Sequence, residues 1–355
     1  MSLAASYALW NNKGGVGKST ITFHLATRYA QLHPERKALV IDMCPQANVS
    51  MILLGGGQEG EDRVLQLCQV DPTPKSVVGY LATVLSGGSG AQLPHPSDFI
   101  VNPSDWNQHI PPNLLLLCGD GNLEPMAPLI SERANQAALP PAEHPWKWVH
   151  SILRRFIENA TSTEEDWVVF VDTNPSFSIY TEIAISGVDR LVVPVNADDA
   201  SRVAVNAMFS LIYGADPPHP FYGQYTYAAK AHTHAILRPM VHLVIGNRLT
   251  QYSGSAAAYG ALSDATADAL YTAFQNTPQR FAQITPPPHD LDSFRTSFSV
   301  PLRDFNTAGV VAAHLGTPLS DLKERSYSVY GTNVSVDARR TGECQDAIDD
   351  VVRRL

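Results

Sequence analysis

Cysteine is scarce in this chain: there are four in 355 residues, at positions 44, 68, 118 and 344. They show no paired metal-ligand spacing, and no secretory signal precedes them, which points to a reducing cytoplasm rather than to a disulfide framework or a metal–thiolate site. Residues 1–6 are too short and uncharged for a targeting peptide. Long apolar runs are also missing, and none approaches the roughly 20 residues that cross a bilayer. Positive charge is short as well. The chain holds seven lysines and a formal net charge of −9, so binding to nucleic acid needs a local basic patch. The arginines at 325, 339, 340, 353 and 354 gather toward the end of the sequence and offer either such a patch or an ordinary solvated face.

Against these absences stands one dense motif. Residues 13–20 read Lys-Gly-Gly-Val-Gly-Lys-Ser-Thr. In a phosphate-binding loop, backbone N–H groups cradle phosphates, a lysine meets the β and γ oxygens and a hydroxyl holds Mg²⁺. Gly14, Gly15, Val16 and Gly17 form a tight version, because glycine permits positive φ and keeps Cβ atoms away from an anion. Lys18 takes the phosphate role, with Ser19 as magnesium ligand and Thr20 beside it. Lys13, at the start of the loop, is poorly placed for its own nucleotide and suited to reach across an interface. The flanks agree: residues 7–10 are a short apolar run, and residues 19–31 show helical spacing through Ile21, Leu25, Ala26 and Tyr29. The competing reading, a glycine turn with incidental lysines, does not account for the strand–loop–helix context.

Apolar runs at 38–41, 114–117, 168–171, 191–195 and 241–245 are short and largely uncharged, as strands buried on both faces are. Helical segments, including 146–159 and 201–213, separate them. The expected fold is α/β, a doubly wound and mostly parallel sheet with helices on both faces. Ligands in that architecture bind at the carboxyl ends of strands, where Asp42, Asp172 and Asn196 fall. The chain reads as one domain over 1–355, with insertions at about 55–145 and 216–234. The first is rich in glycine and proline, with helices expected at 75–84 and 123–135. The second carries His219, His232 and His234, whose spacing matches no standard metal site and fits a surface loop better.

Four stretches together resemble the ParA/MinD group of deviant Walker A ATPases, closest to the ParA-like partition proteins. The loop at 13–20, with its leading lysine, is the first. Residues 38–48, Ala-Leu-Val-Ile-Asp-Met-Cys-Pro-Gln-Ala-Asn, are similar to a switch segment ending Asp-x-Asp-Pro-Gln-Gly-Asn. Residues 167–176 resemble the Walker B strand and its Pro-Ser turn, continued by 189–200. Residues 241–248 and 300–318 resemble the strand that ends in an asparagine near the base and the late Pro-x-Arg segment.

The resemblance implies ATP and Mg²⁺ as cofactors, with Ser19, Asp42 and Asp172 around the metal. It places Lys13, Lys18, Asp42 and Asp172 in the catalytic group, and Asn247, Pro301 and Arg303 near the purine. For Lys13 it implies a homodimer formed on ATP binding. It further implies nonspecific DNA binding by that dimer, a ParB-like adaptor, and a cytoplasmic, nucleoid-associated location. The final residues place Ile348, Val351, Val352 and Leu355 on one helical face, but Asp349 and Asp350 disfavour a membrane anchor. The departure is Cys44, which stands where the family has its second aspartate. A neutral thiol is a weak acceptor and a poor partner for hard Mg²⁺, so slow ATP hydrolysis is expected. Two functions stay open: a slow ATPase switch for partition or positioning of DNA or a large cargo, and a nucleotide-gated protein-interaction module with little or no ATPase activity.

Overall fold

The computed structural model of the protein describes residues 3–138, 142–196, 198–247, 256–302 and 304–355, with every side chain in these except those of 199 and 256–263. Its frame is set by uncharged, β-branched runs that find both faces covered. Among the described residues these make an eight-stranded sheet in the order β3-β4-β2-β5-β1-β6-β7-β8. The strands are β1 (Leu3–Leu9), β2 (Lys37–Met43), β3 (Ile100–Val101), β4 (Leu114–Leu117), β5 (Trp167–Thr173), β6 (Arg190–Asn196), β7 (Met240–Asn247) and β8 (Ser299–Pro301). Only the short edge strand β3 runs antiparallel to its neighbour; the other pairings are parallel.

Alternation along each strand divides the core in two. Ala8, Leu39, Ile41, Val169 and Val171 face one layer, together with α4 (Val77–Gly87) and the helices Pro145–His150, Ile152–Ala160 and Ile179–Gly187. Tyr7, Leu9, Val40, Val168 and Phe170 face the other, against α1 (Lys18–Leu32), α2 (Asn48–Leu53), α3 (Gly57–Cys68) and the last helix, Ala338–Arg353. Every residue of β5 is buried, as a central parallel strand requires.

The strands expected at 38–41, 168–171, 191–195 and 241–245 are present and each is longer by one or two residues at either end; the run at 7–10 falls largely within β1, and 114–117 is a strand as expected, inside the segment expected as an insertion. Residues 55–145 thus contribute to the sheet itself, because β4 pairs with β2 and β3 pairs with β4. The same segment carries α3, α4 and α5 (Leu123–Ala134). The helix expected over 146–159 is broken at Ser151, whose N–H is shared between the Lys147 and Trp148 carbonyls in a tightened turn. Within 216–234 the chain forms a short 3₁₀ turn and the helix Tyr227–Thr233.

The last helix packs into the body through Ile348, Val351 and Val352. Arg28 of α1 clamps Asp349 with two hydrogen bonds of 2.6 and 2.8 Å. A hairpin of β9 (Ser326–Val329) and β10 (Thr332–Ser335) precedes it. Its two-residue turn, Tyr330-Gly331, has positive φ at both positions, the geometry that matches the right-handed twist of paired strands. No described helix is long and apolar enough to cross a membrane.

Candidate functional site

The strand ends converge on the segment between β1 and α1. Gly15 and Gly17 have φ of +71° and +83°, a region that side chains rarely enter. A Cβ on Gly15 would meet nothing within 4 Å, so the loop's concave face is open to an anion. At Gly17 a Cβ would lie 2.5 Å from Asn247 Nδ2, so glycine there lets the end of β7 close onto the loop. Asn247 donates from Nδ2 to the Val16 carbonyl at 2.8 Å, and in this arrangement it braces the loop.

Lys18 begins α1 and is buried. Its ammonium donates to the carbonyls of Asn11 at 3.2 Å and Lys13 at 3.1 Å, which holds it across the loop's mouth. Burial pushes its pKa down and the nearby Asp172 opposes the shift. Ser19 Oγ donates to Asp172 Oδ2 at 2.6 Å and Thr22 Oγ1 to Asp172 Oδ1 at 3.3 Å. Parallel pairing sets Asp42 directly beside Asp172 across β2 and β5. Both carboxyls are fully buried, and burial raises both pKa values. Asp172 raises Asp42 further, whereas Ser19, Lys18 and Thr22 oppose the shift at Asp172. A hydroxyl and a carboxylate in contact, with a second carboxyl alongside, form the hard oxygen set that suits Mg²⁺. Asp42 also pins the segment after β2. It accepts from Cys44 N at 3.0 Å, from Ser50 N at 3.1 Å and from Ser50 Oγ at 2.7 Å.

Cys44 is buried at the wall of the cleft, and its thiol donates to Gln46 Oε1 at 3.2 Å. Burial first, then Asp42 and Asp172, push its pKa up to about 12. The thiol is thus neutral at physiological pH, as the sequence suggests. Lys13 turns away from the glycine cradle and pairs with Asp198 of its own chain. Asp198 also caps the helix Asp199–Tyr213 by accepting from Ser201 N at 2.8 Å.

Gly14 to Thr20, Cys44, Gln46 and Thr173 line a cleft of about 780 Å³. Pro301 lies elsewhere, in a second cavity of about 350 Å³ with Asn196, Gly246 and Leu270. Arg303 falls outside the described residues, as does the side chain of Asp199. Sequence reasoning missed the far wall of the cleft, built by Met51 and Glu61 and by Val310, His314 and Tyr330 of the C-terminal segment. The Tyr-Gly turn between alternating residues 327–335 was the available signal for that hairpin. The arginines at 353 and 354 both bond to Asp350, whose carboxylate offsets one of their two charges.

The backbone is similar to three solved structures. A variant of Cyanothece McdA in complex with ATP matches with a TM-score of 0.58 at 14% identity, over 99% of this chain and 96% of that one. A putative plasmid partition protein from Borrelia burgdorferi B31 bound to AMPPNP matches at 0.53 and 14%, over 99% of each chain. The pnob8 ParA matches at 0.50 and 17%, over 83% of this chain and 80% of that one. At such identities the likeness is one of fold. Among curated proteins no sequence matches. The family model described as CbiA, the CobQ/CobB/MinD/ParA nucleotide binding domain, matches residues 7–342, and the chain belongs to that family.

Proposed function

We propose that the protein is an ATP-binding dimerisation switch of the ParA-like partition or positioning type, with slow ATP hydrolysis. The observation that carries this reading is the division of labour between two lysines nearby in sequence. Lys18 is held across the mouth of an open glycine cradle, while Lys13 is turned out of it and paired with Asp198. In this reading the triphosphate lies along Gly14 to Thr20, with Lys18 at its β and γ oxygens. Ser19 and Asp172 hold Mg²⁺, which supplies charge neutralisation on the phosphates, and Asp42 orders the switch segment beside them. The purine lies toward Asn247, whose side chain reaches the Val16 carbonyl of the loop. Lys13 leaves Asp198 and reaches the nucleotide of a second copy, so the homodimer is the ATP-bound state.

The neutral Cys44 thiol supports slow turnover, because a thiol that stays protonated neither accepts a proton from water nor orients it well. Nonspecific DNA binding by the dimer and release through a ParB-like adaptor complete the reading. The second reading, a nucleotide-gated interaction module with little ATPase activity, is favoured specifically by Cys44. Light scattering with and without Mg²⁺–ATP tests the switch. Wild type is expected to double in mass with ATP, Lys13→Gln to bind ATP but stay monomeric, and Lys18→Ala to bind none. An ATP-dependent dimer of the Lys13→Gln variant would overturn the sandwich arrangement. A salt-sensitive, ATP-dependent shift of duplex DNA separates the first reading from the second.

A further inference from the structure

The turn that follows β5 is tied to the far side of the sheet by a hydrogen-bond chain that none of the roles above uses. Asn174 is buried two residues after Asp172, and its neighbours Thr173 and Pro175 line the nucleotide cleft. All of its polar groups with described partners point into one network. Its carbonyl accepts from Trp10 Nε1 at 3.1 Å, and its Oδ1 accepts from Ser176 N at 3.2 Å, closing the turn. Its Nδ2 donates to the Tyr180 hydroxyl at 3.0 Å. Tyr180 in turn donates to the carboxylate of Glu124, in the first turn of α5.

Each link thus runs in one direction, amide to phenol to carboxylate, and ends on a charge. A charged terminus strengthens such a chain, because each bond polarises the next. Tyr180 is buried, and its ring position is fixed by the helix Ile179–Gly187. Glu124, by contrast, belongs to an exposed position in residues 55–145. The relay therefore joins an exposed carboxylate to the turn that faces Gly14, where Pro175 Cγ lies 4.0 Å from the position of a Cβ.

We propose that Glu124 is a positioning residue which, through Tyr180, holds the 173–176 turn against the phosphate loop, so that α5 sets nucleotide affinity from outside the cleft. The proposal rests on the reading of that cleft as an ATP site. A partner that docks on α5 and draws Glu124 away would loosen the grip on the phosphates without touching them.

The test compares wild type with Glu124→Ala, Glu124→Gln, Tyr180→Phe and the double variant Glu124→Ala/Tyr180→Phe, by calorimetric titration with Mg²⁺–ATP. Glu124→Ala and Tyr180→Phe are each expected to weaken ATP binding about fivefold to tenfold, within the range of one net hydrogen bond. Glu124→Gln keeps an acceptor and is expected within about twofold of wild type. The double variant is expected to be no weaker than either single one, since both break one chain. Unchanged affinity in Glu124→Ala, or additive losses in the double variant, would overturn the proposal. Hydrogen exchange of the 173–178 amides is measured in parallel on the nucleotide-free proteins. Faster exchange in Glu124→Ala but not in Glu124→Gln supports the relay even where wild type binds no ATP, an outcome that refutes the nucleotide reading alone. Equal exchange in all variants refutes the relay.

Discussion

Lys13 forms an ion pair with Asp198, joining the segment after β1 to the cap of the helix that follows β6. The carboxylate is half-committed to its helix, since it also accepts from the N–H and hydroxyl of Ser201. Burial, the largest single influence, raises the Asp198 pKa, but the bonds from Lys13 and Ser201 together outweigh it and lower the pKa, so the group stays charged at neutral pH. A dimer that uses Lys13 across its interface must first take the lysine from this partner.

Replacing Asp198 with asparagine keeps a cap acceptor for Ser201 and removes the charge that holds Lys13. The pair is partly exposed, which limits its strength to about 1 kcal/mol or less. The variant is therefore expected to dimerise with Mg²⁺–ATP about twofold to fivefold more tightly than wild type, measured by sedimentation velocity over a concentration series. An unchanged or weaker dimer would show that the pair is no restraint.

Cys44→Asp is expected to raise single-turnover ATP hydrolysis, with a gain on the order of 10² if a water-positioning acceptor is restored. Cys44→Ser, which adds no charge, is expected to stay near wild type. The aspartate joins two carboxyls already buried side by side, so the nucleotide-free variant is expected to melt at a lower temperature and to recover with Mg²⁺. Rates for Cys44→Asp no higher than for wild type would count against the role assigned to this position.

Mg²⁺–ATP at 100 times its dissociation constant is expected to stabilise wild type by about 2.7 kcal/mol, because ligand binds only the folded chain. The Lys18→Ala variant loses the amine that spans the loop, and its thermal shift is expected to vanish. In Ser19→Ala the shift is expected to survive with ATP alone but to lose its dependence on Mg²⁺. A full shift in Lys18→Ala would place the nucleotide elsewhere.

His24 predicts the acid limit of stability. It is buried on α1 between Phe23 and Phe305, and neither ring nitrogen has a hydrogen-bond partner among the described residues. Burial lowers its pKa from 6.5 to about 3. A depressed folded-state pKa gives stability that is complete above 6.5 and is lost as pH falls toward 3. The loss expected at pH 5 is about 2 kcal/mol relative to pH 7. His24→Leu is expected to remove this slope in urea titrations at the two pH values. An equally steep acid loss in that variant would assign the sensitivity to other groups.

The loop at 13–20 and the five central strands were readable because their signals are local: glycine needed at positive φ, and uncharged β-branched runs with no polar face. The thiol at 44 was also readable as neutral, since an anionic, buried setting raises any cysteine. The role of residues 55–145 was not. Leu114 to Leu117 was readable as a buried strand, but only its pairing with residues 38–41 makes the segment around it part of the main sheet. Likewise nothing near Tyr330 or His314 in sequence points to the cleft they help to line.

By itself, then, the sequence determined a glycine cradle, a buried parallel sheet and the residues at its carboxyl edge, because backbone conformation and strand burial depend on a residue and its near neighbours. Tertiary structure alone decided which groups meet. Lys13 meets Asp198, Asp42 lies beside Asp172, and Glu124 reaches Asn174 through Tyr180, over separations of 185, 130 and 50 residues. Such contacts depend on strand order and helix packing, which place distant segments within hydrogen-bonding range and leave no periodic trace in the chain.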